Sequence, residues 1–351
     1  VFTRIAQDQT DPETILAVGF DSLTSNTNAG IWRSENFGNT WTKVYSGTVT
    51  DIVQDPAFPQ YWLAGAPGSG VLESSDGGKS FHLIGGNGGT GLGGAGTGRI
   101  SYAISQSDPS YHYLVAADAT NNNQTLYGIF RSTDFGYTWL AIDVGDIISW
   151  NQAWHTNSIA VDPLDRGRVM VGMGGSLVTD NADAEDPINI CWRFTFANGN
   201  PCGQPAHLGH ADITSFTFVP QSIAPGNSRV MVTSDGGIYV YDWKTNVVHG
   251  DLNLLGLNTG QLWSAAQHSF TTARGNPGLG LAGTYDNGVV KIDIQDSAKP
   301  IRYIEGGDGG TTSISPDNPD HLFYSSGVAW KRILSTNGGS APGANLNCSL
   351  M

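Results

Sequence analysis

The chain has 351 residues and a formal net charge of −14, with charged side chains at 14% of its positions and glycine at 47 of them. The acidic balance argues against nucleic-acid binding, because that function needs a basic surface to displace counterions. The 10 Trp, 12 Tyr and 13 Phe residues carry too much apolar surface for a disordered chain, and no apolar run reaches the roughly 20 residues of a membrane-spanning helix. What remains is a turn-rich β-protein.

Self-similarity along the chain predicts seven units of four short strands each. The units begin near residues 4, 51, 99, 157, 212, 263 and 310, so their spacing stays between 47 and 58 residues. Four-stranded repeats of this length are typical of β-propellers. The predicted fold is therefore all-β, a seven-bladed β-propeller of four-stranded antiparallel blades that occupies residues 1–351 as a single domain. The seventh unit lacks a convincing outer strand, which favours a natural chain that continues beyond residue 351.

An octapeptide with the pattern Ser-x-Asp/Asn-x-Gly-x-Thr/Ser-aromatic occurs three times between strand-like segments, at residues 34–41, 74–81 and 132–139. In such a hairpin turn the Asp or Asn side chain accepts backbone N–H groups, glycine takes the positive φ, and the closing aromatic ring packs beneath. We therefore interpret the carboxylates of Asp76 and Asp134 as structural, and Trp41 and Trp139 as core residues. A degenerate copy begins at Thr179.

The cysteines and the surface composition indicate an extracellular, secreted protein. Lysine is scarce, and Cys191 and Cys202 flank a short loop that a disulfide could close, with two unpaired thiols as the alternative. The absence of a Cys-x-x-Cys pair or a Cys/His cluster predicts no metal centre, and no cofactor is expected. A structural Ca²⁺ held by the Asp/Gly loops stays open, although no Asp-x-Asp-x-Asp-Gly run supports it.

Propeller geometry predicts where function-bearing side chains meet. The starts of the innermost strands and the turns between second and third strands lie on one face around the central channel. The candidate binding residues on this face are Arg4, Arg99, Trp154, His155, His210, Asp212, Trp263 and Asp308. The turns add the aspartates Asp21, Asp118, Asp235 and Asp286. Carboxylates for acid–base chemistry, an indole for stacking, and Arg and His for hydroxyl groups are typical of a sugar site.

A structural interpretation competes with the functional one at each of these positions. An aspartate before glycine is a turn former, because its side chain caps local N–H groups. We interpret His155 and His210 as hydrogen-bonded residues of the channel and not as metal ligands, since a His-x-Asp pair alone is weak support for a metal site.

The three octapeptides resemble the Asp-boxes (BNR repeats) of sialidases, sortilin and family 74 of the glycoside hydrolases, the xyloglucanases. Residues 154–175 and 232–242 resemble the sequence around the second catalytic aspartate of that last family. The resemblance implies that Asp235 is catalytic, with Asp21 or Asp286 as its partner. The family pairs two propellers across a cleft, whereas the repeats here suffice for one, and its amino-terminal Thr-Asp-Val-Gly-Gly-Ala-Tyr-Arg signature has no copy in this chain.

These observations predict a secreted, carbohydrate-active propeller that binds a β-glycan, and they leave open whether an Asp pair hydrolyses it. A non-catalytic extracellular scaffold that docks a polypeptide is the alternative from another class, because propellers serve both roles. A polysaccharide lyase that uses His155 or His210 with Arg99 is a third, although the net negative charge disfavours an acidic sugar. The predicted partner is thus a poly- or oligosaccharide, or an extracellular protein.

Overall fold

A computed structural model of the chain describes residues 2–19, 29–86, 92–122, 125–142, 144, 152–194, 211–219, 229–235, 237–243, 245, 247–251, 262–267, 279–284, 288–293, 301–305, 308–315, 318–326, 331–336 and 344–345. The chain divides into two compact units. The first comprises Val1–Ser234 and Ile238–Asp251, and the second comprises Asp235–Gly237 and Leu252–Met351. The predicted single domain over residues 1–351 stays a prediction.

The first unit contains five four-stranded antiparallel sheets, in each of which strands that follow one another in the chain are neighbours. The first sheet comprises β1 Phe2–Gln7, β2 Ile15–Gly19, β3 Gly30–Ser34 and β4 Thr42–Ser46. The second comprises β5 Asp51–Gln54, β6 Trp62–Ala66, β7 Gly70–Ser74 and β8 His82–Gly85. The third comprises β9 Thr97–Ile104, β10 His112–Asp118, β11 Leu126–Ser132 and β12 Leu140–Ile142.

The fourth sheet comprises β13 Ser158–Asp162, β14 Asp165–Gly172, β15 Ser176–Thr179 and β16 Arg193–Phe194. The fifth comprises β17 Ile213–Phe218, β18 Arg229–Ser234, β19 Gly237–Asp242 and β20 Val247–Asp251. The described residues contain no α-helix, only the 3₁₀ turns Ala119–Asn121 and Pro187–Asn189. No helix in this described part of the chain has the length and hydropathy of a membrane span.

The second unit contains two further four-stranded antiparallel sheets with the same neighbour order. One comprises β21 Leu262–Gln267, β22 Leu279–Thr284, β23 Gly288–Asp293 and β24 Ile301–Glu305. The other comprises β25 Gly309–Ile314, β26 Leu322–Ser326, β27 Lys331–Ser335 and β28 Ala344–Asn345. A core that includes Leu281, Val289 and Leu322 joins these two sheets.

In the first unit the apolar core lies between successive sheets. Leu16 and Ile31 of the first sheet pack with Ile52 and Trp62 of the second, and equivalent clusters join each later pair of sheets. Strands covered on both faces are buried along their whole length, as β6 and β7 are, whereas the outer strands β4 and β8 are only partly buried. Continuous burial explains why the inner strands have apolar runs instead of alternating patterns.

Polar bonds also join neighbouring sheets at their first strands. The Thr50 hydroxyl accepts the Ile100 N–H and donates to the Ile100 carbonyl, both at 2.9 Å. Ser101 Oγ donates to the carbonyl of Asn157 at 2.8 Å. The backbones approach closely here: a Cβ added to Gly65 would lie 2.6 Å from Ile100 Cγ2. Each bond spans roughly one repeat of the sequence, so the repeat length brings one sheet against the next.

The Asp-box interpretation of the octapeptides is confirmed. The first serine of each box accepts the N–H of the box glycine at 2.8–2.9 Å, and the Asn36, Asp76 or Asp134 side chain accepts the N–H of the Thr or Ser four residues later at 2.8–3.0 Å. Burial raises the pKa of Asp76, but hydrogen bonds from Ser80 and Ser74 outweigh it and lower that pKa to about 2.

The predicted burial of the box tryptophans is right for one of the two residues. Trp139 is 4% exposed and packs edge-on against Tyr102, with Gly85 of the preceding sheet beside it. The prediction for Trp41 is wrong, because this ring is 37% exposed. Trp41 belongs to the first sheet of its unit, and within that unit no described sheet precedes it and covers the ring.

The degenerate box and the predicted cysteine loop meet in the fourth sheet. Thr179 Oγ1 lies 2.9 Å from Asn181 Oδ1, and the same amide oxygen accepts the N–H of Cys191 at 3.0 Å. Cys191 is disulfide-bonded. Cys202 and Cys348 lie outside the described residues.

Candidate functional site

A cavity of about 550 Å³ opens in the first unit where the first strands of its sheets begin. We call it the Trp154 cavity. Its lining comes from the starts of β1 and β9, the segments before β5 and β13, and the turn between β6 and β7. The polar and aromatic residues that line it are Thr3, Thr48, Thr50, Thr97, Arg99, Trp154 and His155. The sequence pattern predicts binding residues at this end of the strands.

The structure brings together three of the predicted binding residues, Arg99, Trp154 and His155. Trp154 is 54% exposed, and its ring centroid lies 5.1 Å from that of His155 with the two planes tilted by 45°. Contact between a half-exposed Trp ring and water is unfavourable unless a ligand covers the ring. The ring is therefore an open, flat apolar platform on the cavity wall and not a core position.

Arg99 holds the segment that carries this platform. Its Nη1 donates to the carbonyl oxygens of Trp154 at 2.6 Å and His155 at 2.9 Å. Burial lowers the pKa of Arg99, and the negative charge of Asp51 opposes the shift. Gln152 lies in the left-handed region at φ 88°, and its backbone carbonyl accepts the His155 N–H at 2.8 Å. This bond closes a tight turn before β13. Trp154 is thus positioned from both sides.

Asp51 follows Thr50, which lines the cavity, and the hydrogen bonds of its carboxylate are structural. Its Oδ2 accepts the Tyr102 N–H at 2.8 Å, its Oδ1 accepts its neighbour's N–H at 2.9 Å, and Arg4 Nε lies 3.4 Å from Oδ1. Burial raises the pKa of Asp51, while Arg4, the two N–H donors and Arg99 favour the charged form. Asp51 therefore links the second sheet to the third and to Arg4.

The remaining predicted site residues are placed as follows. Asp212 precedes β17, half buried, with φ 55°. Asp235, in the turn between β18 and β19, and Asp308, before β25, are half buried and belong to the second compact unit. Trp263 lies in β21, and its side chain is outside the described set. Asp21, Asp286 and His210 lie outside the described residues, so the separations within the predicted Asp pairs stay undetermined.

One turn aspartate has the structural role that the sequence offered as the alternative. Oδ1 of Asp118 accepts the N–H and the hydroxyl of Thr120, at 2.8 and 2.6 Å, and caps a 3₁₀ turn. Among the residues that the structure describes, no group of three or more His, Cys, Asp or Glu side chains is arranged to hold a metal ion.

The threonine lining of the cavity is not among the site residues predicted from the sequence. Thr48 and Thr50 precede β5 two residues apart, and Thr97 starts β9. Residues two apart in extended chain share a side, so paired threonines just before a predicted strand were a usable signal. The contribution of Thr3 to the same wall had no comparable signal.

Comparisons with known proteins agree with this architecture. Residues 31–44 match the family model of the BNR-Asp box repeat. The family 74 glycoside hydrolase (GH74) of Niastella koreensis is similar in structure, with 18% identity, a TM-score of 0.64, and coverage of 99% of this chain and 50% of that chain. The GH74 xyloglucanase of Xanthomonas campestris is similar at 15% identity and a TM-score of 0.63, over 97% of this chain and 51% of that one. No curated protein matches the chain in sequence.

An ancestral GH74 enzyme adds a third similar structure, at 16% identity and a TM-score of 0.58, over 97% of this chain and 48% of that chain. The chain thus spans about half the length of these relatives. Together with the sheets and the Asp-boxes, the comparisons identify the fold as an Asp-box β-propeller of four-stranded antiparallel blades. Seven such sheets are described, and their closure into one ring stays a prediction.

Proposed function

We propose that this chain is an extracellular carbohydrate-binding propeller that holds a β-glycan in the Trp154 cavity. The observation that carries the proposal is the half-exposed Trp154 ring, fixed by Arg99 on the wall of a cavity of about 550 Å³. Ligand sites in proteins typically enclose about 300–1,000 Å³ and combine apolar walls with a few polar groups.

The chemistry of the cavity wall suits a neutral sugar. An indole offers a flat apolar surface to the C–H face of a pyranose ring, and it gains from the burial of that surface. Hydroxyl groups of Thr3, Thr48 and Thr97 and the imidazole of His155 supply donors and acceptors around it. Because Arg99 is engaged by two backbone carbonyls, it is poorly suited to hold the carboxylate of an acidic sugar.

The described lining supports binding more directly than hydrolysis. Two-carboxylate glycosidases place their acid and their base or nucleophile within about 10 Å of each other, across the scissile bond. Among the described residues that line the cavity, none is Asp or Glu. For hydrolysis we propose Asp235 with Asp21 or Asp286 as the carboxylate pair, and this pair is the finer part of the proposal.

The solved relatives suggest which glycan to test first. One of them is a xyloglucanase, and the fold is shared although identity is only 15%. We therefore propose xyloglucan or another β-1,4-linked backbone as the ligand class. The non-catalytic scaffold remains the alternative, and it predicts no affinity for any glycan.

A glycan panel tests the proposal. Xyloglucan, mixed-linkage glucan, cellulose oligosaccharides, chitin oligosaccharides and an acidic pectin are compared by affinity electrophoresis and calorimetry, and reducing-sugar release is measured in parallel. We expect retardation by a neutral β-glycan. Sugar release that disappears in Asp235→Ala would support the catalytic pair, and release that survives would remove Asp235 from the mechanism. Binding to no glycan in the panel would contradict the proposed function.

A further inference from the structure

A second cavity lies at the opposite end of the strands in the first unit, among the β5–β6 turn, the end of β7 and the Asp-box of the third sheet. It has a volume of about 370 Å³, and we call it the Glu73 cavity. The residues that line it and matter here are Asp55, Phe58, Glu73, His112, Phe135 and Tyr137. None of them contributes to the Trp154 cavity.

Three aromatic rings stand open around this cavity. Phe58 is 46% exposed, Phe135 44% and Tyr137 54%. Three half-exposed rings on one small cavity form an apolar rim, which is typical of a ligand site and unusual for a free surface. Aromatic faces also carry negative electrostatic potential, so they attract a cation placed between them.

The base of the cavity carries two carboxylates. Glu73 is 5% exposed and Asp55 3% exposed. Oδ1 of Asp55 accepts the N–H groups of Ala57 at 2.8 Å and Phe58 at 2.9 Å. The charge of Glu73 is the main cause of the raised pKa of Tyr137. Buried carboxylates carry a desolvation cost that a nearby positive charge offsets.

The described lining provides no such charge. It contains no Lys or Arg, and its histidine is held neutral: His112 Nε2 donates to the carbonyl of Pro109 at 2.9 Å, and Nδ1 accepts the Tyr102 hydroxyl at 2.8 Å. Burial lowers the pKa of His112 to about 4. His82 lies 4.0 Å from Glu73, and its side chain is 61% exposed to water. A cationic guest would supply the missing compensation.

From this combination we infer that the Glu73 cavity binds an organic ammonium group, held between the open rings of Phe58, Phe135 and Tyr137 and against the Glu73 carboxylate. The cavity is much larger than a bare metal ion needs, and aromatic walls favour a weakly hydrated cation over a strongly hydrated one. The ammonium belongs either to a small molecule or to a methylated lysine side chain, which share this chemistry.

The decisive comparison uses two probes of the same shape and different charge. Choline and its neutral analogue 3,3-dimethylbutan-1-ol are titrated into the unmodified chain by calorimetry and saturation-transfer NMR at pH 8. We expect saturable choline binding, with the neutral analogue about tenfold weaker. Equal binding of the two probes would overturn the inference.

Variants then locate the site. Glu73→Gln keeps the shape and removes the charge, and we expect it to weaken choline about tenfold. Glu185→Gln, a change at an exposed glutamate away from the cavity, is the matched control and should leave choline binding unchanged. If Glu73→Gln does not fold, Phe58→Ala at a half-exposed ring replaces it with the same expectation. Undiminished choline affinity in the folded variant would refute the placement.

A last pair of probes separates the sources of the cation. A short peptide with one trimethyllysine is compared with free choline. Tighter binding of the peptide identifies a polypeptide ligand, and tighter binding of choline identifies a small molecule. Binding in either arm supports the site, and binding in neither contradicts it. Because this cavity and the Trp154 cavity share no lining residue, failure of one proposal leaves the other standing.

Discussion

The guanidinium of Arg99 lies 2.6 Å from the carbonyl oxygen of Trp154, and this bond ties the start of the third sheet to the segment that precedes the fourth. A second bond from the same nitrogen reaches the carbonyl of His155 at 2.9 Å. The open ring of Trp154 is thereby fixed through its backbone, while its side chain stays free for a ligand. The proposed glycan site thus depends on a residue from the neighbouring sheet.

Replacement of Arg99 is the first test of this relationship. In Arg99→Ala both charge-assisted bonds are lost, so we expect the free energy of unfolding to fall by about 2 kcal/mol and glycan affinity to fall about fivefold. Arg99→Lys keeps one donor for a carbonyl, so its free energy of unfolding and its glycan affinity should lie between those of the unmodified chain and those of Arg99→Ala. Amide hydrogen exchange at residues 154–156 distinguishes local release from general weakening, because only local release speeds exchange there selectively. Unchanged exchange with unchanged affinity would contradict the positioning role.

The Asp-box of the second sheet predicts an acid dependence of stability. The pKa of Asp76 is lowered to about 2 in the folded chain, so its ionised form stabilises the fold above the pKa of the unfolded chain. This contribution is lost as the pH falls from about 4 to about 2. We therefore expect Asp76→Ala to have a lower urea midpoint than the unmodified chain at pH 7. The two midpoints should converge as the pH falls toward 2.

If the urea midpoints of Asp76→Ala and the unmodified chain differed by the same amount from pH 7 to pH 2, this interpretation would be contradicted. Glu13→Gln, at an exposed carboxylate outside the Asp-boxes, serves as the control and should change the midpoint little at any pH. The same measurement on Asp134→Ala extends the test, since hydrogen bonds outweigh burial there too and lower the pKa of that carboxyl.

The close contact between the second and third sheets predicts a steric limit at Gly65. Its added Cβ would lie 2.6 Å from the branched side chain of Ile100, so we expect Gly65→Ala to lower the free energy of unfolding by about 1–3 kcal/mol. Gly280, also in the second strand of its sheet, has its nearest neighbour at 3.6 Å and is the matched control. Equal effects of the two substitutions on urea unfolding would show that crowding at Ile100 is not limiting.

The disulfide at Cys191 has a predicted partner in Cys202. Proteolysis under non-reducing conditions, followed by mass spectrometry, should release one cross-linked peptide pair that contains both residues. A link from Cys191 to Cys348 would contradict the pairing. Because a bond that closes a short loop stabilises by about 2–4 kcal/mol, Cys191→Ser should lower the thermal midpoint, and reduction of the unmodified chain should have a similar effect.

The positions of the strands were largely predictable from the sequence. The first strands of the seven sheets begin at residues 2, 51, 97, 158, 213, 262 and 309, within two residues of the predicted starts. The information is local, because each turn is built from residues within about five positions, as in the hydrogen bonds of Asp76 and Asp134. Period and turn chemistry together therefore predict the fold.

Contacts between sheets were not predictable in the same way. The bond from Arg99 to Trp154 spans 55 positions, and the sequence pattern places both residues on one face without indicating that they touch. The exposure of Trp41 depends on whether a sheet covers it, which its own octapeptide does not encode. The Glu73 cavity combines turns from two sheets, and each turn alone had a complete structural explanation.

The most direct test of the glycan proposal is a calorimetric titration of a neutral β-glycan oligosaccharide into the unmodified chain, Trp154→Phe and Trp154→Ala. Tyr303→Ala, at a 72% exposed aromatic residue that does not line the cavity, is the control. We expect Trp154→Ala to bind about tenfold more weakly, Trp154→Phe to lie between, and the control to match the unmodified chain. Full affinity in a folded Trp154→Ala variant would contradict the account.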